Sequence, residues 1–351
     1  MSLLWMEYEN EFQNLVENAF QRSCTEDPAY YDGLPPRIRQ IIYRDTRYNI
    51  DFLYTAYLLG DDKIMEDYAV WLYQLMASVL KQIPTATVAE YVIEHLDTIR
   101  RSIPDTVGAE KLPRLLHLLD LADDCVREAS KQPIPEIVHN ARYEAEVEQY
   151  MDSLFQRNGR KTVQLIQEFS KKGIPLNDIY VDILAESMRR VGDLWHTARI
   201  TVDTEHYCTS VTQMAMAQMY PLLFAHERKN KTLLCACPGT ELHEMGARMV
   251  ADLFENDGWD SIYLGAAVPE DAMLEAVATN QPDLIALSVT MPQHLIACRS
   301  LVDAIRKQYP DVKIAVGGKA FESTHDIWKQ WPIDLYAPDA RQLLEQANRI
   351  C

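Results

Sequence analysis

Glu241, His243 and Gly246 form a short pattern whose chemistry is suited to holding a metal ion. The pattern follows the apolar residues 232–237 and opens a segment with helical spacing. An imidazole binds a metal through one ring nitrogen while the other donates to a carboxylate, which fixes the tautomer and makes the ligand more basic. We therefore expect His243 to bind a metal, Glu241 to support it from behind, and Gly246 to let a bulky ligand approach the backbone.

Residues 231–351 alternate between short apolar segments and segments with helical spacing. The candidate strands are residues 232–237, 261–264, 284–289, 313–316 and 333–336. The candidate helices are residues 241–257, 270–280, 293–309, 321–330 and 339–349. This alternation predicts an α/β domain with a doubly wound, flavodoxin-like sheet of five parallel strands.

Several distinctive residues follow the candidate strands of this domain. They are the His243 loop, residues 265–269, Ser288 with Thr290, and the pair Gly317-Gly318. Ligands of doubly wound sheets bind at the carboxyl ends of the strands. We therefore expect these residues to lie around a single ligand site.

Two helical regions precede the sheet domain. Residues 137–228 carry apolar residues at helical spacing and predict a four-helix bundle. Residues 1–133 are also helical in pattern, but Lys131-Gln-Pro-Ile-Pro135 predicts a linker between the two regions. The expected organisation is a helical sensory or regulatory domain (1–133), the bundle (137–228) and the Rossmann-like sheet domain (231–351).

Composition excludes several classes of function. The formal net charge of −18 argues against nucleic acid as a direct partner and against an anionic membrane surface. No apolar run approaches the roughly 20 residues of a membrane span, and the N-terminus lacks the basic and apolar regions of a signal peptide. The seven cysteines show no regular framework. We therefore expect a cytoplasmic protein with reduced thiols.

The order of these features resembles that of cobalamin-binding proteins of the base-off, His-on type. In that family a helical bundle precedes a sheet domain with Asp-x-His-x-x-Gly after its first strand, Ser-x-Leu or Ser-x-Thr after its third, and Gly-Gly after its fourth. This chain has Glu241 where the family usually has Asp. The resemblance implies that His243 is the lower axial ligand of the cobalt.

The same resemblance assigns the cobalamin tail to the other strand ends. It implies that Ser288 and Thr290 line the pocket for the dimethylbenzimidazole group. It also implies that Gly317 and Gly318 let the nucleotide tail pass close to the sheet.

A second pattern lies in the bundle, where Trp195 is followed nine residues later by Glu205-His206. It resembles the Trp-x9-Glu-His motif of adenosylcobalamin-dependent photoreceptors. The resemblance implies that Trp195 packs on the adenosyl group, that Glu205 binds the adenosyl ribose, and that His206 becomes the upper ligand of the cobalt after light. Residues 205 and 206 are about 100° apart on a helix, so both can address one flat ligand.

Each of these three residues also has a simpler interpretation. Trp195 continues an apolar helical stripe and suits a core position. Glu205 lies in a first helical turn, where the helix dipole favours an acid. His206 taken alone is more often a surface or core histidine than a ligand.

The functional interpretation is a non-catalytic light sensor that binds adenosylcobalamin and signals to an unknown protein effector or through self-association, as a dimer for example. The main alternative is a corrinoid carrier that shuttles methyl groups as methylcobalamin in a methyltransferase system. Such a carrier has His243 but does not need a bulky Trp195 with Glu205-His206 above the cobalt. A third alternative is a cobalamin-sensing or storage scaffold without photochemical output.

The N-terminal region suggests a second chromophore. Arg44 and Arg47 lie on a predicted helix beside an aromatic-rich helical pair, where they could hold the propionates of a linear tetrapyrrole. This layout resembles photocobilins, which pair cobalamin with a non-covalently held bilin such as biliverdin. The alternative is a regulatory or dimerising helical domain with salt-bridged faces. The region lacks the helix-turn-helix domain that precedes the bundle in DNA-binding members.

Overall fold

The computed structural model describes residues 6–135 and 137–351. The described residues form two compact units. The first, which we call the N-terminal unit, runs to Pro135 and includes Ser323–His325, and the second, the C-terminal unit, comprises the other described residues from Ile137 on. Residues 1–5, part of the stretch considered above for a signal peptide, lie outside the described residues. Within those residues, no helix is both long and apolar enough to cross a membrane.

The described part of the N-terminal unit is helical. Its helices are α1 (Met6–Glu26), α2 (Pro28–Gly33), α3 (Pro36–Leu59), α4 (Lys63–Val79), α5 (Thr85–Thr106) and α6 (Leu112–Ser130). The helices bury an apolar core in which Leu53, Leu96 and Leu118 are fully enclosed. The aromatic-rich pair expected from the sequence corresponds to α3 and α4, where the rings of Phe52 and Tyr68 stack at 3.7 Å.

The C-terminal unit begins with the predicted bundle. Its helices are α7 (Glu144–Phe155), α8 (Gly159–Lys171), α9 (Leu176–Asp178) continued by the π-helical stretch Ile179–Leu184 into α10 (Ala185–His196), and α11 (Val202–Met219). The four-helix bundle expected from the sequence is confirmed. Its core contains Tyr150 and Phe169, and Met249 and Leu253 of the following sheet domain are buried in the same cluster. Bundle and sheet domain therefore share a core.

The sheet domain contains five parallel strands in the order β2-β1-β3-β4-β5. The strands are β1 (Thr232–Pro238), β2 (Asp260–Val268), β3 (Leu284–Ser288), β4 (Lys313–Gly317) and β5 (Leu335–Ala337). The helices are α12 (Met245–Asn256), α13 (Glu270–Asn280), α14 (His294–Gln308) and α15 (Ala340–Ile350). The predicted doubly wound, flavodoxin-like sheet is confirmed. The strand order reverses at β1, where such folds bind ligands, and His243 follows that strand.

The expectation that residues 265–269 follow the second strand is wrong for residues 265–268, which belong to that strand. Strand β2 continues to Val268 because irregularities in its pairing with β1 absorb extra residues. Gly265 and Ala267 adopt positive φ angles of 86° and 54° there. A bulge leaves extra residues unpaired and bends the strand without ending it, which an apolar pattern alone does not reveal.

The helix expected over residues 321–330 is also absent. Two short 3₁₀ turns, Lys319–Ser323 and Ile327–Gln330, replace it. Asp326 separates the turns with a left-handed backbone, at a φ of 53°. A residue in that conformation interrupts a right-handed helix, so the two turns cannot join.

Candidate functional site

Glu241 is the most constrained side chain of the loop between β1 and α12. It is fully buried, and its Oε1 lies 2.6 Å from His243 Nδ1 and accepts the His243 backbone N–H at 2.9 Å. Its Oε2 accepts the backbone N–H groups of Thr290 and Met291 at 2.9 and 2.8 Å. Burial by itself would raise the pKa of Glu241, but the hydrogen bonds from His243 and Met291 outweigh it and lower the pKa to about 2. The carboxylate is therefore ionised and joins the loops after β1 and β3.

His243 is held by this carboxylate while its ring remains accessible. The side chain is 58% exposed. The hydrogen bond to Glu241 raises the pKa of His243, burial opposes this, and the negative charges of Glu241 and Glu205 raise it further. With Nδ1 directed at Glu241, Nε2 is the ring nitrogen that can bind a metal. The carboxylate also orients the ring, as a carboxylate does behind a metal-bound histidine.

The donor set around His243 fits one kind of metal group. Within residues 6–135 and 137–351, no group of three or more His, Cys, Asp or Glu side chains could hold a metal ion by itself. A metal bound by His243 must therefore bring most of its ligands with it. A corrin would do this, because it supplies most ligands of its cobalt itself and His243 would supply one more.

The three bundle residues of the Trp-x9-Glu-His pattern are all more exposed than the fully buried Glu241. Trp195 lies in the last turn of α10 and is half-buried, in contrast to Val191 one turn earlier, which is 1% exposed. Glu205 lies in the first turn of α11, where its Oε1 accepts from Thr209 Oγ1 at 2.8 Å and its Oε2 lies 2.6 Å from His206 Nδ1. The His206 side chain is 74% exposed.

Ser288, Thr290 and Gly246 adjoin the His243 loop. Ser288 ends β3 and is half-buried, and a Cβ built on Gly246 would lie 3.8 Å from Ser288 Oγ, which is an ordinary contact. Thr290 takes part in the loop through its backbone, because its N–H donates to Glu241. A Cβ at Gly246 therefore fits beside Ser288 without a clash.

Gly317 and Gly318 have a packing role of their own. A Cβ on Gly317 would lie 2.6 Å from the carbonyl oxygen of Ala337. Gly318 has a φ of 101°, and a Cβ there would overlap the carbonyl oxygen of Val289. The end of β4 therefore needs two glycines to pass its neighbours, whether or not a ligand tail also passes there.

Sequence reasoning missed a link between the bundle and the His243 loop. Gln213 Nε2 on α11 donates to Glu244 Oε1 at 3.2 Å, and Tyr263 OH on β2 donates to Glu244 Oε2 at 2.9 Å. A signal was available in the four-residue spacing of Glu205, Thr209 and Gln213, which places them on one face of α11. That face therefore runs from Glu205 to Gln213, which contacts Glu244, the residue after His243.

Arg44 and Arg47 belong to α3 of the N-terminal unit. The Arg44 side chain is 70% exposed, and its Nε lies 3.6 Å from Asp45. The Arg47 guanidinium lies 5.8 Å from the ring centre of Phe12. Its Nε is buried and has no hydrogen-bond partner among the described residues. Of these two arginines, Arg47 is therefore the one with unused hydrogen-bonding capacity inside the unit.

Comparison with known proteins finds similarity to cobalamin-binding proteins over the bundle and the sheet domain. Family models described as B12 binding domains match residues 146–220 and 231–337. The HTH-type transcriptional repressor CarH of Myxococcus xanthus is 26% identical over 165 residues, which cover 46% of this chain and 54% of the relative. The chain thus spans about half of that regulator's length. Monomethylamine corrinoid protein 1 of Methanosarcina barkeri is 23% identical over 174 residues, covering 48% of this chain and 80% of the relative.

A solved structure shows the same fold. The Methanosarcina barkeri monomethylamine corrinoid protein superimposes with a TM-score of 0.53 and 21% identity, over 59% of this chain and 99% of that chain. The match supports the arrangement of a bundle followed by a Rossmann-like sheet domain. Together with the two matches to B12 binding domain models, the findings support cobalamin binding by this chain.

Proposed function

We propose that this protein is a light sensor that binds adenosylcobalamin, with His243 as the lower ligand of cobalt and the Trp195, Glu205 and His206 side chains above it. The observation that carries the proposal is the approach of α11 to the His243 loop. Gln213 of α11 binds Glu244, and the charge of Glu205 acts on His243. These two links support a single site formed by α11, which carries Glu205 and His206, and the His243 loop.

The residues below the site hold a fixed ligand. Glu241 orients the His243 ring and keeps Nδ1 occupied, so that Nε2 is directed away from it. Gly246 leaves room above the first turn of α12. Ser288 and Thr290 at the end of β3 are proposed to line the pocket for the nucleotide tail.

The residues above the site respond to light in this proposal. Bound adenosylcobalamin supplies a cobalt–carbon bond that visible light breaks. Trp195 offers a half-buried flat surface to the adenosyl group, and Glu205 offers a carboxylate to its ribose. Without that group, Trp195 and Glu205 would each lack their contact with it. His206 would be able to reach the cobalt, because its side chain is 74% exposed and imidazole is a good cobalt ligand.

The test is purification in dim light with adenosylcobalamin, followed by gel filtration and green illumination. We expect the protein to retain the coloured cofactor and to change its spectrum irreversibly on illumination. We expect His206→Ala to bind in the dark like wild type but to lose the part of the change that comes from the second histidine. A wild-type spectrum in the illuminated variant would contradict the role of His206.

A methylcobalamin carrier is the second candidate function. The relation to the monomethylamine corrinoid protein favours it, since this chain spans 80% of that relative's length. A carrier should bind methylcobalamin at least as tightly as adenosylcobalamin, because a methyl group needs no cover by Trp195. A light sensor should prefer adenosylcobalamin. A storage scaffold would bleach in light without any change in mass by light scattering.

We propose a bilin, for example biliverdin, as a second ligand in the N-terminal unit. Unpaired hydrogen-bonding capacity inside the unit supports it: Arg47 Nε, Tyr73 OH and His95 Nε2 are buried and have no partner among the described residues. An open surface pocket of about 340 Å³, lined by Phe20, Arg39, Gln40 and Tyr43, lies in the same unit, apart from these three side chains. We expect biliverdin to co-purify and to absorb red light, and Arg47→Met to weaken its retention more than Arg44→Met. Equal retention of biliverdin by wild type, Arg47→Met and Arg44→Met would contradict the assignment of Arg47.

The output is proposed to pass to a protein effector or to a change in self-association, such as a dimer equilibrium. A net charge of −18 disfavours direct contact with a nucleic acid backbone. Light scattering before and after illumination measures the self-association. Co-purification in the two states identifies an effector.

A further inference from the structure

A short irregular segment ahead of the bundle is fastened to the helix that carries Trp195. We call residues 137–144 the strap. His139 of the strap lies with Nδ1 3.2 Å from Glu186 Oε1 and with Nε2 3.4 Å from Asp193 Oδ2. Glu186 and Asp193 are seven residues apart on α10, so one imidazole spans two turns of one helix face.

A second fastening lies between these two acids. Arg190 of α10 is 8% exposed, and its two terminal nitrogens donate to the oxygens of Glu144 at 2.6 and 2.7 Å. Its Nε donates to Glu186 at 2.8 Å. Hydrogen bonds from Arg190 lower the pKa of Glu144 to about 2, with help from the backbone N–H of Ala141. A bidentate pair of this kind depends strongly on geometry.

The strap therefore depends on the position of α10. Asp193 is two residues from Trp195, so a turn or shift of the end of α10 changes the contact with His139. The same motion displaces Arg190 from Glu144, and the Ala141 N–H, which donates to Glu144 at 3.0 Å, loses a fixed acceptor. Along the chain, one residue, Glu136, separates the strap from Pro135, where the N-terminal unit ends.

We propose that the strap reads the position of α10 and passes the light signal along the chain out of the cobalamin-binding domains. This inference rests on the proposed function, because it takes a change around Trp195 as its input. His139, Arg190 and Glu144 are positioning residues here and do not touch the cofactor. The strap responds as a unit because its contacts converge on one helix face.

Hydrogen exchange measured by mass spectrometry tests the proposal on the full chain loaded with adenosylcobalamin. In the dark we expect the amide of Ala141 to be protected, and after illumination we expect it to exchange at least tenfold faster. If illumination changes the spectrum and strap exchange stays the same, the strap does not read α10. If illumination leaves the wild-type spectrum unchanged, the proposed function fails and the strap loses its input.

Adjacent arginines provide a matched pair of variants. Arg190→Met should give fast strap exchange already in the dark, with little further change on illumination, while the spectral response remains. Arg189→Met is the control, because Arg189 is 59% exposed and contacts Glu186 of its own helix. Glu144→Gln, at a half-exposed position, repeats the test with less risk to folding. Equal dark exchange in wild type and all three variants would overturn the proposal.

Discussion

The loop below the proposed cobalt site and the helix above it are held in opposite ways. Below, Glu241 is fully buried and is contacted by the His243 ring and three backbone N–H groups. Above, His206 is 74% exposed and its ring contacts Glu205, the residue before it in the chain. His243 is therefore paired with a carboxylate that is buried and anchored by backbone groups, whereas His206 is paired with a partly exposed carboxylate of its own helix.

This difference matches the two tasks that the proposal assigns. A lower ligand must keep cobalt in place before and after illumination, which favours preorganisation by a buried carboxylate. An upper ligand that binds only after light must stay away from cobalt in the dark, which favours a mobile surface side chain. The predictions below test whether the two sides differ in this way.

The largest effect is expected from Glu241→Gln. The substitution keeps the size of the side chain. It replaces a carboxylate oxygen, which accepts backbone N–H groups in the wild type, with an NH₂ group that cannot accept them. We expect the free energy of unfolding to fall by about 2 kcal/mol, as for an unsatisfied buried donor. We also expect cobalamin affinity to fall about 10- to 100-fold. Denaturant titration and equilibrium binding measure the two effects.

The control for this prediction is the same substitution above the site. Glu205→Gln alters a side chain that is 28% exposed, so the free energy of unfolding should change by less than about 0.5 kcal/mol. Equal destabilisation by the two variants would show that the lower side is not the more rigid one.

The next effect concerns Asp252, where sheet domain and bundle meet. Tyr180 OH of the π-helical stretch donates to Asp252 Oδ2 at 2.9 Å, and burial raises the pKa of Asp252 to about 6. The folded state therefore holds this proton more tightly than the unfolded chain does. Its stabilising contribution is complete below about pH 4 and is lost as the pH rises through 6, by roughly 3 kcal/mol.

Asp252→Asn should remove this pH dependence. The free energy of unfolding of the variant, measured between pH 4 and 7, should be flatter than that of wild type. A slope equal to that of wild type would show that other groups dominate. Spectral changes around His243 should be unaffected if the Tyr180–Asp252 contact is purely structural.

The next prediction compares Gly318, which packs against backbone, with Gly246, which is proposed to face the ligand. Gly318→Ala should lower the free energy of unfolding by about 1–3 kcal/mol with or without cobalamin, because its φ of 101° and the Val289 carbonyl exclude a Cβ. Gly246→Ala should leave unfolding nearly unchanged and weaken cobalamin binding. A stability loss for Gly246→Ala as large as that for Gly318→Ala would contradict the distinction.

The smallest effect on the dark protein is expected from His206→Ala. A side chain that is 74% exposed contributes little to folding, so unfolding and dark binding should match wild type within about 0.5 kcal/mol. After illumination, the spectrum of cobalt bound by two histidines should be missing. A tenfold loss of dark affinity would mean that His206 already binds cobalt or its upper ligand before light.

The sequence predicts the parts of the fold that depend on local pattern. Buried strands β1, β3 and β4 are short apolar runs, and the helices between them keep helical spacing, so the doubly wound sheet is confirmed. Bulged strand β2 and the 3₁₀ turns around Asp326 were not predictable, because both depend on backbone conformations that hydrophobic period does not encode.

The site shows the same limit. His243 and Glu241 lie two residues apart, so their pairing is visible in the sequence. The backbone donors of Thr290 and Met291 come from a loop about 50 residues later, and only the folded sheet brings them to Glu241. The pair Gly317-Gly318 is ambiguous for a related reason. Both glycines are needed because distant backbone carbonyls lie close to them in the fold, and the sequence does not distinguish this from a need to admit a ligand.

The most direct test of the account is the electron paramagnetic resonance spectrum of the protein loaded with cobalamin in the cobalt(II) state. The unpaired electron of that state couples to the nitrogen of the lower axial ligand. Protein made with ¹⁵N-histidine should change this coupling from a triplet to a doublet, and His243→Ala should abolish the isotope effect. A triplet that persists in the labelled wild-type protein would mean that His243 does not bind the cobalt.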